Sequence, residues 1–427
     1  MGNAQIGSIK DVEKVGSKKP STTITIEAMD HCWEVNFHII DQSPTLISLF
    51  QEIPRTGKSV EVVYDEINED LDPMDIERAL RFFDLSPKEI KKNLNIIGIP
   101  DLLRGLFLAH YLQSKNLIEG HQLRILQILM AENFFMFYER CEELHMDDFK
   151  VELYKILRAQ FDMWKENEVF LKSFPRNFLK SLLKDGRTLT SAGEIGLYRT
   201  MKKWISLQDP APALNFENYK DLISEIRFQN IIMCSTVLQE LEKDGLLPRN
   251  VLNKMKEDMF MDVIRDRDEP FPYVKPDIVT FYRSCYRLGA KERKDSMRWV
   301  FYNGIFGHTL EFFHIDNTIY ACRKLLTNSL VDSSEETTFS LQIFFTDWQY
   351  KVLKETAVRT FVFPLGKNIR ITSVPEAVKK DEYHFFLLLH QQNKFLKPSY
   401  NYFDLKNKDD FDPNDDSQKV PDFKTLQ

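Results

Sequence analysis

Residues 193–208 read Gly-Glu-Ile-Gly-Leu-Tyr-Arg-Thr-Met-Lys-Lys-Trp-Ile-Ser-Leu-Gln. Apolar side chains recur in this stretch at the spacing of one helix face: Leu197, Met201 and Trp204, with Tyr198 and Ile205 beside them. Its cationic side chains fall on the opposite side: Arg199, Lys202 and Lys203. The pattern predicts an amphipathic helix. An aromatic residue on such a face is usually core, so Trp204 is expected to fix helix packing, with direct partner contact as the alternative.

The sequence before this helix predicts an α/β domain over residues 21–115. Apolar and polar residues alternate in 23–27 and 33–39, which predicts a strand hairpin with a turn around Asp30 and His31. Ser43 and Pro44 are typical of a helix start, and Ser59–Tyr64 predicts a third strand. Further helices are expected at about 73–84, 87–97 and from Gly98-Ile99-Pro100 to Leu112.

The rest of the chain divides by its hydrophobic period. Residues 116–275 have helical spacing almost throughout and predict an all-α helical stack. Residues 280–395 predict an all-β, sandwich-like domain, with strands at Trp299–Tyr302, Leu310–Ile315, Thr318–Cys322, Phe339–Phe345, Val358–Phe363, Ile369–Thr372 and Tyr383–His390. The polar residues 1–20 predict a flexible lead-in, and the acidic residues 396–427 a disordered tail. The expected fold class is therefore α+β and multidomain.

Composition limits the classes of function. A net charge of −7 argues against a protein that wraps nucleic acid, because such binding relies on many Lys and Arg residues. The five Cys are widely spaced and show no zinc or disulfide pattern, which is typical of an intracellular protein. We expect neither a signal peptide nor a membrane-spanning run. Gly2 is a candidate for acylation, although Ile6 stands where that motif has Ser or Thr.

No motif predicts catalysis, a cofactor or a metal. Gly57-Lys58-Ser59 lacks the earlier Gly of a phosphate-binding loop, since that position is Glu52. His384 and His390 can share one strand face, but no third ligand follows at a binding interval. The C-terminal aromatic residues are more numerous than one inward face requires, so they predict either a sandwich core or an exposed patch for a partner: Trp299, Phe301, Phe306, Phe312 and Phe313.

Several stretches resemble known modules. Trp33–Phe50 is similar to the strand-to-helix entry of a BTB/POZ domain, and residues 193–208 with 226–232 resemble the BACK module that follows such domains. A kelch propeller usually comes next, but the remaining chain is too short and too poor in Gly for one. Instead, Arg287-x-Gly289 and residues 298–307 resemble the germ-cell-less family. The resemblance covers about residues 22–392.

The resemblance implies a non-catalytic adaptor that forms a BTB homodimer and recruits a protein substrate to a cullin-3 ubiquitin ligase. It also implies a role in germ-cell formation, at the nucleus or nuclear envelope or at the cell cortex. The expected partner-binding residues are Phe50, Ile53, Trp299 and Phe306. Residues 51–56, however, lack the apolar-x-Glu element of cullin-binding BTB domains. The alternative is therefore a structural or transcription-associated nuclear-envelope protein without ubiquitin transfer.

Overall fold

The computed structural model describes residues 23–52, 59–61, 71–208, 215–231, 235–263, 275–292, 298–305, 308–324, 336–376 and 383–390. They form helices and antiparallel sheets, so the protein is a mixed α+β protein, as expected. The chain divides into two compact units. The first comprises Met1–Leu129 and Phe135–Phe149, and the second comprises Met130–Phe134 and Lys150–Gln427. The expected lead-in at 1–20 and acidic tail at 396–427 lie outside the described residues.

The first unit begins with the predicted hairpin. Strand β1 (Thr23–Ala28) pairs antiparallel with β2 (His31–Asn36), and β3 (Ser59–Glu61) pairs parallel with β1 on its other side. Ile24 and Ile26 alternate into the core, which is why this segment forms a half-buried strand. The second strand ends earlier than predicted, because Phe37–Gln42 forms a 3-10 helix.

Helix starts in this unit follow their capping residues. Ser43 accepts a hydrogen bond from the backbone of Leu46 at 3.2 Å, and Ser86 forms a reciprocal capping box with Glu89. The predicted starts at Pro44 and Pro87 are therefore confirmed. The helices that begin in the first part of the chain are α1 (Pro44–Glu52), α2 (Pro73–Phe82), α3 (Pro87–Asn93), α4 (Ile99–Tyr111), α5 (Lys115–Ile128) and α6 (Phe134–Glu143).

Helices continue along the chain before the sheets begin. They are α7 (Asp147–Trp164), α8 (Glu168–Ser173), α9 (Arg176–Lys184), α10 (Gly193–Leu207), α11 (Phe216–Ile223), α12 (Ser235–Asp244), α13 (Arg249–Val263) and α14 (Ile278–Ser284). The amphipathic helix expected at 193–208 is confirmed as α10. Its apolar face is buried as the pattern predicts, at Leu197, Tyr198, Met201, Trp204 and Ile205.

Nine described strands build two sheets in the second unit. They are β4 (Tyr286–Glu292), β5 (Arg298–Ile305), β6 (His308–Ile315), β7 (Thr318–Lys324), β8 (Glu336–Asp347), β9 (Val352–Glu355), β10 (Arg359–Pro364), β11 (Asn368–Ser373) and β12 (Tyr383–His390). One sheet has the order β10-β8-β12-β4 with β9 beside β8, and the other has the order β11-β7-β6-β5. All seven predicted strands are present, whereas β4, β9 and helix α14 were not predicted.

The five-stranded sheet is covered on both faces. Phe345, Phe385 and Leu387 on one face share a core with Phe312 and Ile319 of the four-stranded sheet. Residues of the opposite face pack against helical-region side chains in a second core, formed by Phe344, Phe386 and Leu388 with Ala159, Leu189, Phe281 and Cys285. Every residue of β12 is consequently buried, which explains the apolar run Phe385–Leu389 within it.

Candidate functional site

Glu194 is a buried carboxylate in the first turn of α10. Its side chain is inaccessible to solvent, and burial raises the pKa of its carboxyl above the ordinary Glu value, whereas Arg227 and the positive end of the helix dipole favour its negative charge. The preceding Gly193 has a backbone φ of +65°, which residues other than Gly rarely adopt. A Cβ at this position would lie 2.9 Å from the carbonyl oxygen of Arg287. The start of α10 is thus pressed directly against strand β4.

Arg227 binds the Glu194 carboxylate from a separate part of the helical region. Its Nε donates to Oε1 at 2.9 Å, and its backbone N–H donates to Oε2 at 3.2 Å. The Nη1 group of Arg227 also donates to the carbonyl of Tyr282 at 3.0 Å. Although burial opposes charging, the Glu194 carboxylate raises the pKa of the Arg227 guanidinium above its ordinary value. Arg227 therefore joins α10 to helix α14 as a cation.

Arg287 brings a second guanidinium to the same carboxylate from β4. Its Nε lies 3.0 Å from Oε1 of Glu194, and its Nη2 donates to the carbonyl of Leu183 at 2.7 Å. The side chain is fully buried. We call Glu194, Arg227 and Arg287 the buried ion cluster. It connects three segments that are far apart in the sequence, and it lies where the helices meet the sheet.

Neighbouring contacts fix the chain on its way into the sheet. Asn230 donates to the carbonyls of Ser284 and Cys285, both at 3.0 Å. Burial raises the pKa of the Cys285 thiol to about 11, although the nearby Arg227 cation opposes that rise. Because only the thiolate is nucleophilic, a thiol with this pKa is a poor nucleophile near neutral pH. The chemistry around the cluster therefore suits packing rather than covalent catalysis.

Two acidic residues, Asp162 in α7 and Asp185 directly after α9, form ion pairs around the segment that leads into α10. Asp162 accepts hydrogen bonds from the hydroxyl of Ser191 at 2.6 Å and from the Lys165 ammonium at 2.6 Å. Asp185 accepts from Arg158 at 2.7 Å. Burial would raise the pKa of both carboxyls, but nearby cations and hydrogen-bond donors lower it below the ordinary Asp value. Asp162 is therefore a charged anchor for Ser191, two residues before α10, and Asp185 is one for Arg158 of α7.

Trp204 is a core residue of the second unit. Only 5% of its surface is exposed, and its Nε1 donates to the carbonyl of Phe174 at 2.9 Å. A buried indole N–H needs such a partner, so this hydrogen bond sets the spacing between α10 and the end of α8. The expectation that Trp204 fixes helix packing is confirmed.

Two of the four expected partner-binding residues lie in elements that the structure describes. Gly2, Ile53 and Phe306 lie outside the described residues, whereas Phe50 falls in α1 and Trp299 falls in β5. Among the other C-terminal aromatic residues, the structure distinguishes the two alternatives, a sandwich core and an exposed patch, for Phe312 and Phe313. Phe312 lies in the core between the sheets, and the half-buried Phe313 stacks on Tyr320 with ring centroids 5.9 Å apart.

The two His predicted to share a strand face do so. In β12 the ring of His384 lies 4.0 Å from that of Tyr350, and the His390 ring lies 6.5 Å from that of Phe281. Within the described ranges, no group of three or more His, Cys, Asp and Glu side chains could hold a metal ion. The helices of those same ranges include none that is long and apolar enough to cross a membrane.

Sequence reasoning missed the buried ion cluster although it had singled out all three segments. Glu194 and Arg227 occur in otherwise apolar surroundings, which is the signal that could have marked them as paired core charges. Their pairing has no fixed sequence interval, because it depends on how distant helices pack. Among known proteins, no family model matches this sequence, and no curated protein matches it.

Proposed function

We propose that this chain is a non-catalytic adaptor that recruits a protein substrate to a cullin-3 ubiquitin ligase. In this proposal residues 21–115 are a BTB/POZ domain, residues 116–275 a BACK-like stack, and residues 280–395 a sandwich-like domain of the germ-cell-less type. The ligase supplies the chemistry, so the adaptor itself contributes binding and geometry. The proposed localisation is the nucleus or nuclear envelope, or the cell cortex. The proposed biological role is in germ-cell formation.

The buried ion cluster is the observation that carries the proposal. Its members come from the separate stretches on which the sequence resemblance rests: Glu194 from 193–208, Arg227 from 226–232 and Arg287 from the Arg-x-Gly stretch. If the three stretches resembled the family only by accident, there would be no reason for side chains from all three to contact one another. Their contact supports the view that these motifs belong together as one architectural element. That element would hold the sheets in a fixed orientation on their helices.

The N-terminal residues would supply dimerisation and cullin docking. The hairpin β1–β2, the parallel strand β3 and the following helices are compatible with a BTB-like domain. Phe50 and Ile53 are the proposed cullin contacts, and a homodimer would present two substrate-binding domains. Two linked binding sites raise avidity through effective concentration, without any new contact.

Co-purification of the full chain with cullin-3 tests the proposal. We expect a dimer by light scattering and capture of cullin-3 on the immobilised protein. Phe50→Ala combined with Ile53→Ala should weaken capture while the dimer persists. Trp348→Ala is the matched control, because Trp348 is an exposed aromatic residue in the second unit and should leave capture unchanged. A wild-type dimer that fails to capture cullin-3 would contradict the adaptor function.

The sequence after Phe50 favours a second candidate function. Residues 51–56 read Gln-Glu-Ile-Pro-Arg-Thr and lack the apolar-x-Glu element. A structural or transcription-associated protein of the nuclear envelope would use the same binding surfaces without ubiquitin transfer. In that case the dimer would form and bind protein partners, but their ubiquitination would not depend on this chain.

A further inference from the structure

A groove with basic walls crosses the surface of the first unit between α3 and α5. It has a volume of about 410 Å³ and is lined by Lys88, Lys91, Lys92, Asn95, Leu123 and Gln127. We call it the lysine groove. None of its lining residues belongs to the buried ion cluster or to the segment 50–53 proposed for cullin docking. Its function is therefore independent of the adaptor proposal.

The three lysines of the groove lie on α3. Lys91 and Lys92 follow Lys88 by three and four residues, so each is a neighbour of Lys88 on the helix surface. None of them forms an ion pair with a residue that the structure describes. The nearby Glu89 carboxylate is already engaged by the Ser86 hydroxyl and backbone N–H. Like charges at this spacing destabilise a helix, and an anionic ligand would relieve their repulsion.

Two exposed apolar side chains occur in the elements that form the groove. Leu123 lines it and is 36% exposed, and Ile96, which follows the lining residue Asn95, is 92% exposed. Arg124 donates to the carbonyl of Asn95 at 3.2 Å and to the side chain of Gln127 at 3.2 Å, which fixes one side of the groove.

We propose that the lysine groove binds an acidic peptide segment of a partner protein. Asp or Glu side chains would pair with Lys88, Lys91 and Lys92, and one bulky apolar side chain would cover Ile96 and Leu123. Charge complementarity identifies an anionic occupant, and the apolar Leu123 in the lining favours one that also carries an apolar side chain. A peptide meets both conditions, whereas a nucleic-acid backbone offers no apolar side chain.

Fluorescence anisotropy with the full chain tests this site. The probe is a short fluorescein-labelled peptide that carries one Leu among Asp and Glu residues. We expect saturable binding that weakens as salt rises, because exposed ion pairs are screened. Lys91→Glu and Lys92→Glu should each raise Kd about tenfold, while the corresponding Lys→Arg variants retain binding. Ile96→Ser should also raise Kd about tenfold without changing the salt dependence.

Lys184→Glu provides the matched control. Lys184 is also an exposed lysine in the last turn of a helix, α9, but it does not line the groove. The Lys184→Glu variant should bind the labelled peptide with the same Kd as the wild type. Equal weakening by Lys184→Glu and Lys91→Glu would overturn the proposal, as would binding that Lys91→Glu leaves unchanged. The proposal would also fail if single-stranded DNA or anionic vesicles bound the groove more tightly than the peptide. The melting temperature of each variant shows that it is folded.

Discussion

The Nε atom of Arg227 lies 2.9 Å from Oε1 of Glu194, and neither side chain is accessible to more than a trace of solvent. Charges in such a position are costly to desolvate, and their attraction offsets that cost only while both partners are present. Arg287 adds a second buried cation to the same carboxylate oxygen. The stability of the second unit should therefore depend strongly on Glu194.

Glu194→Gln should destabilise the second unit by about 3–5 kcal/mol, because it leaves two buried guanidinium groups without their carboxylate. Urea unfolding followed by tryptophan fluorescence measures the change. Glu240→Gln is the control, since Glu240 pairs with the exposed Arg199 and should contribute less than about 1 kcal/mol. Equal effects of the two variants would show that burial of the cluster has no energetic consequence.

Trp204→Ala should lower the free energy of unfolding by about 3–5 kcal/mol, because it empties a packed site and leaves the carbonyl of Phe174 without its donor. Trp348→Ala removes an indole that is 62% exposed and should change stability by less than about 1 kcal/mol. Thermal unfolding of both variants gives the comparison. Unchanged stability of Trp204→Ala with lost partner binding would instead identify a contact residue.

Gly186→Ala should destabilise the junction between helices and sheet by about 3 kcal/mol. A Cβ at Gly186 would lie 1.7 Å from the backbone oxygen of Tyr282, so α14 would have to move. At Gly98 the nearest atom would be 3.7 Å away, in ordinary contact, and Gly98→Ala should cost less than about 1 kcal/mol. Chemical denaturation of both variants measures the difference, and similar costs would show that α14 yields easily.

Stability should fall as pH drops from about 6.5 to about 4. Burial lowers the pKa of His121 in the first unit and of His390 in the second, each to about 4. The unfolded chain then binds more protons than the native protein within this range, so unfolding is favoured as pH falls. Each group contributes up to about 3 kcal/mol, which is fully present above pH 6.5.

Urea midpoints measured across this pH range test the two histidines separately. His121→Gln and His390→Gln should each remove about one proton from the uptake that accompanies unfolding. The double variant should remove both contributions, since the residues lie in different units and should act additively. Unfolding with the same pH slope in the wild type and double variant would contradict the assignment.

Local patterns were sufficient for the elements that bury one regular face. Helix α10 has a 3.6-residue apolar period, and β12 contains the apolar run Phe385–Leu389, so both were predicted with nearly their observed bounds. Strand β4 was missed because its sequence, Tyr-Arg-Leu-Gly-Ala-Lys-Glu, has polar and small residues where a buried strand usually has apolar ones. Its Arg287 is buried because Glu194 lies opposite, and no local rule anticipates that.

The sequence by itself determined the helix starts at Pro44 and Pro87, the buried face of α10 and seven of the nine described strands of the C-terminal region, since these depend on short-range patterns. The tertiary structure decided which charges pair, because Glu194, Arg227 and Arg287 meet across contacts between distant segments. It also decided that the five-stranded sheet is covered by helices on one face and by a second sheet on the other. Burying a charge costs free energy unless it is paired, so these ion pairs affect stability strongly. Only the folded chain determines which charged groups are buried next to one another.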